Sequence, residues 1–111
     1  MSRMDFWKSQ RVVVTGGAGF LGSFLVDGLR QRGTEHVFIP RSKEYDLRDR
    51  TAIRRLLTDT QPTLVFHLAA VVGGIGANRE HPGRFFYENA IMGIELIEQA
   101  RQFRQIGRAH V

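Results

Sequence analysis

A cluster of glycines that directly follows a short β-branched run constrains this chain more than any other feature of its sequence. The run RVVVT at residues 11–15 has the apolar character of a strand buried on both faces. It ends in GGAGFLG at residues 16–22, which fits G-x-G-x-x-G from Gly17 and G-x-x-G-x-x-G from Gly16. Apolar residues at helical spacing follow, so the glycines lie where a strand turns into a helix.

Each glycine of such a turn has its own physical task. One makes the tight turn, one lets the backbone approach a pyrophosphate, and one allows close packing of the helix. The amides at the start of the helix, near Phe20 and Leu21, would point at the anion with the positive end of the helix dipole behind them. The alternative is a turn that serves only the fold. The flanking strand and helix favour dinucleotide binding at Gly16, Gly19, Phe20, Leu21 and Gly22.

Strands and helices are predicted to alternate along the rest of the chain. The predicted elements are a helix at 20–32, a strand at 36–39, a weak strand at 45–47, a helix capped by Asp49, a strand at 63–70 and a helix at 84–103. The last helix is expected to bury the stripe Phe86, Ala90, Ile94, Ile97 and Ala100. This order predicts an α/β fold with a doubly wound parallel sheet, truncated after its fourth strand and the following helix.

The turn after the second predicted strand bears on which dinucleotide binds. Arg41 lies about 20 positions after Gly22, where this type of fold places an acidic residue for the 2′-hydroxyl of NAD or an arginine for the 2′-phosphate of NADP. Arg41, Ser42 and Lys43 precede the first carboxylate, Glu44. Basic and hydroxyl groups would hold a phosphate. The sequence therefore predicts NADP, with NAD as the alternative cofactor and a solvated basic turn as the alternative interpretation.

Composition excludes several other classes of protein. The chain has 111 residues, of which 42% are hydrophobic and 24% charged, as in one small globular domain. It has no cysteine, which excludes disulfides and thiolate metal sites, and we expect no metal site. The net charge is +5, but the basic residues are scattered, so we expect a solvated surface and no nucleic-acid partner. Charges in the first eight residues and short apolar runs predict a soluble, cytoplasmic domain without a membrane partner.

Three segments together carry a resemblance to a known family. The motif from Thr15 to Gly22, the pair Asp46-Leu47 and the run HLAA at residues 67–70 resemble the extended short-chain dehydrogenases/reductases, also called the NAD-dependent epimerase/dehydratase family. Within that family, AAVVGGIGAN at residues 69–78 is similar to the loop of the GDP-L-fucose synthases. The resemblance covers about residues 11–103 and implies a Rossmann-like sheet.

The resemblance implies a role for each matching residue. The glycine motif would line the pyrophosphate, and Asp46 and Leu47 would meet the adenine, with the Asp46 carboxylate accepting from its amino group. The residues Leu68, Ala69 and Ala70 would border the ribose on the nicotinamide side. The loop at 72–78 would lie near a sugar nucleotide, and Asn89 would have a structural role. We expect His67, at the end of its strand, to be packed or hydrogen-bonded and not catalytic.

The resemblance also implies a reaction, that of an oxidoreductase and isomerase of GDP-fucose biosynthesis. In the GDP-L-fucose synthases, NADPH delivers hydride to C4 of a GDP-4-keto-6-deoxy sugar after epimerisation at C3 and C5. Such enzymes need a serine or threonine and Tyr-x-x-x-Lys, but Asp49 follows Tyr45 and Ile91 follows Tyr87 at the lysine position. We therefore predict no catalytic residue here, and interpret residues 1–105 as the N-terminal cofactor-binding part of a longer, homodimeric protein that takes a nucleotide-sugar substrate.

Two other functions stay open from the sequence. One is an NAD-dependent nucleotide-sugar 4-epimerase or 4,6-dehydratase, and the other is a non-enzymatic dinucleotide-binding redox sensor. The tail at residues 106–111, IGRAHV, does not fit the family, and one back-translation, ATC GGA AGA GCA CAC GTC, resembles a sequencing adapter. We expect a non-native tail there, with a natural basic tail as the alternative. The 111-residue chain alone is expected to be inactive and poorly packed, because the strand at 63–69 would lack its neighbour.

Overall fold

A computed structural model describes residues 3–69 and 82–104 of the chain. The elements in chain order are α1 (Arg3–Ser9), β1 (Arg11–Thr15), α2 (Phe20–Gln31), β2 (His36–Phe38), α3 (Arg50–Thr60), β3 (Leu64–His67) and α4 (Pro82–Arg104). All of these except α1 were expected from the sequence. Among the described residues, no helix combines the length and the apolar character needed to cross a membrane.

The three strands form a parallel sheet in the order β2-β1-β3. In the register, Val12 of β1 lies beside Val37 on one side and Leu64 on the other. Side chains of a strand alternate between the two faces of a sheet, so β1 supplies both halves of the core. Val13 packs in a cluster with α3 and α4, while Val12 and Val14 pack against α2. Helices thus cover both faces, and the predicted doubly wound α/β class is confirmed.

The predicted ends of two helices are also confirmed. The side chain of Asp49 accepts a hydrogen bond from the Thr51 amide at 3.0 Å and so caps α3. Gln61 ends α3 in the left-handed region with φ 43°, and Pro62 follows. Gly33 lies just beyond α2 with φ 101°, a conformation that costs a glycine little.

The prediction of a weak strand at residues 45–47 is wrong, because Tyr45 and Asp46 are irregular and a turn begins at Leu47. The Asp46 carboxylate accepts from the backbone N–H of Arg48 at 3.0 Å, and the Asp46 carbonyl accepts from the Asp49 amide at 2.9 Å. Local bonds of this kind offer the backbone an alternative to a sheet ladder. Leu47 turns inward and is 7% exposed in the core. The described part of the sheet therefore has three strands, where the sequence suggested four.

The strand expected at residues 63–70 ends earlier, at His67. Beyond it, the Leu68 amide is shared between the carbonyl and the Oγ1 atom of Thr15, both at 3.0 Å, and the Ala69 amide donates to Oγ1 alone, at 3.1 Å, so the backbone leaves the ladder after Leu68. Ala70 lies outside the described residues. A strand pattern in the sequence carries no information about this competing acceptor on β1.

The buried face of α4 differs from the expected stripe. Ile94 and Ile97 are each 61% exposed, and Ala90 is only half-buried. Among the described side chains of α4, the buried residues are Met92, Leu96, Gln99 and Ala100, so Ala100 of the expected stripe is confirmed. The side chain of Phe86 lies outside the described residues.

Polar pairs with α3 fix this orientation of α4. Arg50 donates to both carboxylate oxygens of Glu95 at 3.1 Å, and Arg54 donates to the Gln99 side chain at 2.7 Å. Because α4 has apolar residues on more than one face, its partner helix and not its periodicity decides which face is buried.

Candidate dinucleotide-binding site

The glycine turn and the pair Leu68 and Ala69, which are predicted site residues, lie at the carboxyl ends of β1 and β3. The last residues of the two strands, Thr15 and His67, are partners in the register. The glycine turn follows the first, and Leu68 and Ala69 follow the second. In an open parallel sheet with helices on both faces, ligands bind outside this end of the strands.

Gly16 makes the turn at the end of β1, and only glycine fits there. Its φ is 72°, and a Cβ added to it would lie 2.8 Å from the carbonyl carbon of Leu68 and 2.8 Å from the amide nitrogen of Ala69. Any side chain would therefore push the two strand ends apart as well as strain the backbone. The backbone of Leu68 and Ala69 therefore lies close to Gly16, which the sequence analysis did not anticipate.

Gly22 holds the first turn of α2 against the glycine turn. It is buried, and a Cβ at this position would collide with the carbonyl oxygen of Gly16 and lie 2.7 Å from the Cα of Gly17. The same Gly16 carbonyl accepts from the Gly19 amide at 3.0 Å. Gly22 thus serves the close packing that the third glycine of such a motif is expected to provide.

Gly19 is different, because its surroundings in the protein demand a glycine much less. It is the N-cap of α2 with φ −77° and ψ 176°, which any residue adopts. Among the described residues other than its chain neighbours, an added Cβ would approach the Gly16 carbonyl oxygen, at 3.3 Å, a close contact that asks for a small shift. Gly19 itself is exposed. We call the exposed surface at Gly19 the open cradle, and it lies at the turn where the sequence predicts a pyrophosphate.

The start of α2 presents its amides to the same space. No side chain caps the helix, and its first turn contains no acidic residue. The first N–H groups of an α-helix have no partner within the helix, and with the helix dipole they attract an anion. The side chains of Phe20 and Leu21 are 83% and 66% exposed, so these two residues would act through their backbone.

Thr15 and His67 form a buried hydrogen-bonded pair beneath the turn. The Oγ1 atom of Thr15, which is fully buried, lies 2.6 Å from Nδ1 of His67. It also accepts from the amides of Leu68 and Ala69. Burial lowers the pKa of His67 below its ordinary value. The expectation of a hydrogen-bonded histidine is confirmed. A side-chain role for Thr15 was not predicted, although a threonine and a histidine at the ends of two predicted parallel strands were a signal for it.

The predicted basic turn begins beside the glycine turn. A Cβ on Gly17 would lie 2.8 Å from the side chain of Ile39, so the end of β2 packs against the glycines. Two residues later, the carbonyl of Arg41 accepts from the amides of Glu44 and Tyr45, at 3.0 and 2.8 Å, and closes a turn. The side chain of Arg41 is exposed and open to a ligand, as are those of the next two residues, Ser42 and Lys43.

The two residues expected at the adenine behave differently from each other. The Asp46 carboxylate is held by Arg48, whose Nε and Nη2 donate at 3.0 and 2.8 Å. These bonds keep the pKa of Asp46 below its ordinary value. The Asp46 side chain is 45% exposed and can accept further hydrogen bonds, whereas Leu47 is buried and could meet a base only through its backbone. Ala70 and the loop at 72–78 lie outside the described residues.

Comparison with known proteins agrees with this geometry. The NAD dependent epimerase/dehydratase family matches residues 12–110 of the chain. The chain is 34% identical to the GDP-L-colitose synthase of Yersinia pseudotuberculosis over 91 residues, which are 82% of this chain and 29% of that protein. It is also 34% identical to the GDP-L-fucose synthase of Azorhizobium caulinodans, over 81% of this chain and 28% of that protein. The chain thus spans less than a third of the length of these curated relatives.

Two solved structures show the same fold with a bound dinucleotide. A GDP-L-fucose synthetase from Naegleria fowleri bound to NADP matches with a TM-score of 0.74 and 29% identity, over 86% of this chain and 29% of that one. The Thermus thermophilus UDP-glucose 4-epimerase in complex with NAD matches with a TM-score of 0.71 and 34% identity, over 84% of this chain and 34% of that one. From the family match and these relatives, the chain belongs to the NAD dependent epimerase/dehydratase family.

Proposed function

We propose that this chain is the N-terminal, dinucleotide-binding part of a cytoplasmic nucleotide-sugar epimerase/reductase of the GDP-L-fucose synthase type. The reaction would be the NADPH-dependent reduction at C4 of a GDP-4-keto-6-deoxy sugar, after epimerisation at C3 and C5. The relatives named GDP-L-fucose synthase and GDP-L-colitose synthase support this substrate class.

One observation carries the proposal, and it is the open cradle at Gly19. Gly16 and Gly22 are required by contacts within the protein, but in the described part of the chain an added Cβ at Gly19 approaches one atom beyond its chain neighbours, at 3.3 Å. A glycine there is explained by a ligand that lies against the backbone. The uncapped start of α2 faces the same space, so its amides would bind the pyrophosphate.

The other described residues would orient the cofactor. When bound, the nicotinamide dinucleotide supplies the hydride. The backbone of Leu68 and Ala69 would border the ribose next to the nicotinamide, and Asp46 would accept from the adenine amino group. Arg41 and its neighbours Ser42 and Lys43 would bind the 2′-phosphate, which favours NADP over NAD.

Proton transfer at the sugar would need groups that the described residues do not supply. Neither tyrosine of the chain is followed by lysine at the fourth position. In the structure, the Tyr45 hydroxyl donates to Asp59 at 2.8 Å, and this hydrogen bond raises the pKa of the phenol. Tyr45 is therefore a weaker acid than a free tyrosine, which is the wrong direction for a general acid–base group. We place the catalytic serine or threonine and Tyr-x-x-x-Lys in sequence beyond residue 105.

A homodimer is part of the proposal. Three apolar residues of α4, Tyr87, Ile94 and Ile97, recur at a spacing that places them on one helix face, and each is more than 60% exposed. An apolar strip of this kind needs a cover in an assembled enzyme. We expect the protein from the complete reading frame to elute as a dimer, and Ile94→Glu to shift it towards monomer. An unchanged elution volume for Ile94→Glu would remove this face as the interface.

The direct test of the proposed function is an assay of the protein from the complete reading frame that contains this sequence. We expect it to oxidise NADPH in the presence of GDP-4-keto-6-deoxymannose and to act slowly or not at all on UDP-glucose with NAD. The second candidate is an NAD-dependent 4-epimerase, which the match to the Thermus thermophilus enzyme favours. Turnover of UDP-glucose with NAD, and none of the GDP sugar, would establish that second candidate.

A further inference from the structure

We propose that His67 is a positioning residue of the dinucleotide site, which it shapes by accepting the hydroxyl proton of Thr15 on Nδ1. The inference rests on the proposed dinucleotide binding and extends it to a side chain that would not touch the cofactor. His67 lies at the end of β3, behind the backbone that borders the site.

The hydrogen bonds of the Thr15 hydroxyl determine which nitrogen of His67 carries the proton. A threonine hydroxyl has one proton to donate and two lone pairs to accept. The amides of Leu68 and Ala69, at 3.0 and 3.1 Å, use the accepting positions. The single proton is left for Nδ1 of His67, at 2.6 Å. Nδ1 must then be unprotonated, so the neutral ring carries its hydrogen on Nε2.

Burial makes this arrangement sensitive to any change of partner. Thr15 is fully buried, and His67 is half-buried. In the described part of the chain, burial is the cause that lowers the pKa of His67, and no charged side chain there contributes. A protonated ring would place an N–H against an oxygen that already receives two others, and the Thr15 proton would have no acceptor. The environment therefore favours the neutral accepting ring at neutral pH.

The hydrogen bonds of the Leu68 and Ala69 amides connect His67 to the dinucleotide site. Leu68 and Ala69 are the residues whose backbone lies against Gly16, close enough that an added Cβ would be 2.8 Å away. Their bonds to Thr15 hold the end of β3 at this distance, together with a bond from the Leu68 amide to the Thr15 carbonyl at 3.0 Å. Without an acceptor at residue 67, the Thr15 hydroxyl turns to seek another partner. The Ala69 amide then loses its acceptor, and the backbone of Leu68 and Ala69 shifts relative to Gly16.

Matched variants separate the hydrogen bond from simple packing. His67→Asn places its side-chain oxygen near the position of Nδ1, so the Thr15 hydroxyl keeps a hydrogen-bond acceptor. His67→Leu has similar bulk but offers no acceptor. Likewise, Thr15→Ser keeps the hydroxyl, and Thr15→Val keeps the shape without it. In protein from the complete reading frame, we expect His67→Leu and Thr15→Val to weaken NADPH binding roughly tenfold, and His67→Asn and Thr15→Ser to stay within about threefold of the wild type.

A spectroscopic measurement tests the inference even if a variant fails to fold. Nitrogen NMR of the wild-type protein should show His67 at neutral pH with its proton on Nε2, and an Nδ1–H or doubly protonated ring would overturn the proposal. Equal NADPH affinity in the wild type and a folded His67→Leu would also overturn it, while leaving the proposed function in place. If the wild type bound neither NADPH nor NADH, the proposed function would fail and the positioning role with it.

Discussion

The glycine turn at residues 16–22 and the segment at residues 39–49 are expected to hold the pyrophosphate and the adenosine end of one cofactor, but they are built in opposite ways. The glycine turn is defined by backbone against backbone, with Gly16 and Gly22 in positions that admit no Cβ. The second segment is defined by side chains on its surface, among them Arg48 on Asp46 and Arg55 over the ring of Tyr45. Backbone contacts fix the shape of the glycine turn, whereas the exposed side chains of the second segment can be replaced one at a time.

The difference shows which parts of such a fold can accept substitutions. A pyrophosphate is common to NAD and NADP, so a rigid backbone cradle suits both. The choice between them depends on one phosphate at the other end, where exposed side chains can change without disturbing the core. We therefore expect substitutions in the turn to damage the fold or all dinucleotide binding, and substitutions of the exposed residues Arg41, Ser42 and Lys43 to alter selectivity.

The largest effect is expected for Gly22→Val. Its Cβ would collide with the carbonyl of Gly16, and overpacking of this kind should lower the free energy of unfolding by about 3 kcal/mol. Gly28→Val, on the same helix, is the matched control, because among the described residues an added Cβ there approaches the end of the Arg32 side chain at 3.5 Å, an ordinary van der Waals contact. Denaturant unfolding of both variants measures the difference. Equal stability of the two would mean that the turn is not rigid.

The second effect concerns selectivity and is expected for Arg41→Asp. A carboxylate in place of the guanidinium should weaken NADPH binding roughly tenfold and leave NADH within about threefold, because only NADPH carries the 2′-phosphate. Arg101→Asp makes the same change in net charge on α4 and serves as the control. Titrations with both cofactors check the prediction. A parallel loss of both affinities in Arg41→Asp would show that the basic turn does not select the cofactor.

A smaller effect is expected from pH at His67. Because burial lowers the pKa of this histidine in the folded protein, folding favours the neutral ring. Its contribution to stability is complete above the ordinary pKa of 6.5 and is lost as the pH falls through the folded pKa. The wild type should lose more stability than His67→Asn between about pH 7 and pH 5. Identical pH profiles in thermal unfolding would contradict this assignment.

The smallest effect is expected for Asp46→Asn, which removes the exposed ion pair with Arg48. The pKa of Asp46 is held below its ordinary value of 3.8, so its contribution is present above that value and is lost as the pH falls through the folded pKa. Exposed pairs contribute about 0–1 kcal/mol and are screened by salt. The variant should therefore be slightly less stable than the wild type at low salt and equal to it at high salt. A large loss that persists in high salt would show that Asp46 has a structural role in the core.

The contrast between backbone-determined and side-chain-determined segments also explains which features could be predicted from the sequence. The glycine turn, the Asp49 cap and the strand RVVVT were predictable because each depends on local backbone chemistry. The turn at Asp46 was mistaken for a strand because its side chain competes with the ladder. The buried face of α4 was misjudged because a helix with apolar residues such as Ile94 and Leu96 on different faces needs its partner α3 to choose between them. The bonds of Thr15 to the end of β3 depend on register, which no local pattern specifies.

The measurement that tests dinucleotide binding at the glycine turn most directly is calorimetric titration of NADPH into three proteins. These are the wild type, Gly19→Val and the control Gly28→Val, each made from the complete reading frame and each checked for an unchanged fold. Because Gly19 is exposed and, among the described residues, an added Cβ would ask for only a small shift of the Gly16 carbonyl at 3.3 Å, we expect Gly19→Val to fold and to lose NADPH binding, while the wild type and Gly28→Val bind equally well. Full NADPH affinity in Gly19→Val would contradict the assignment and would mean that the turn is required only by the fold.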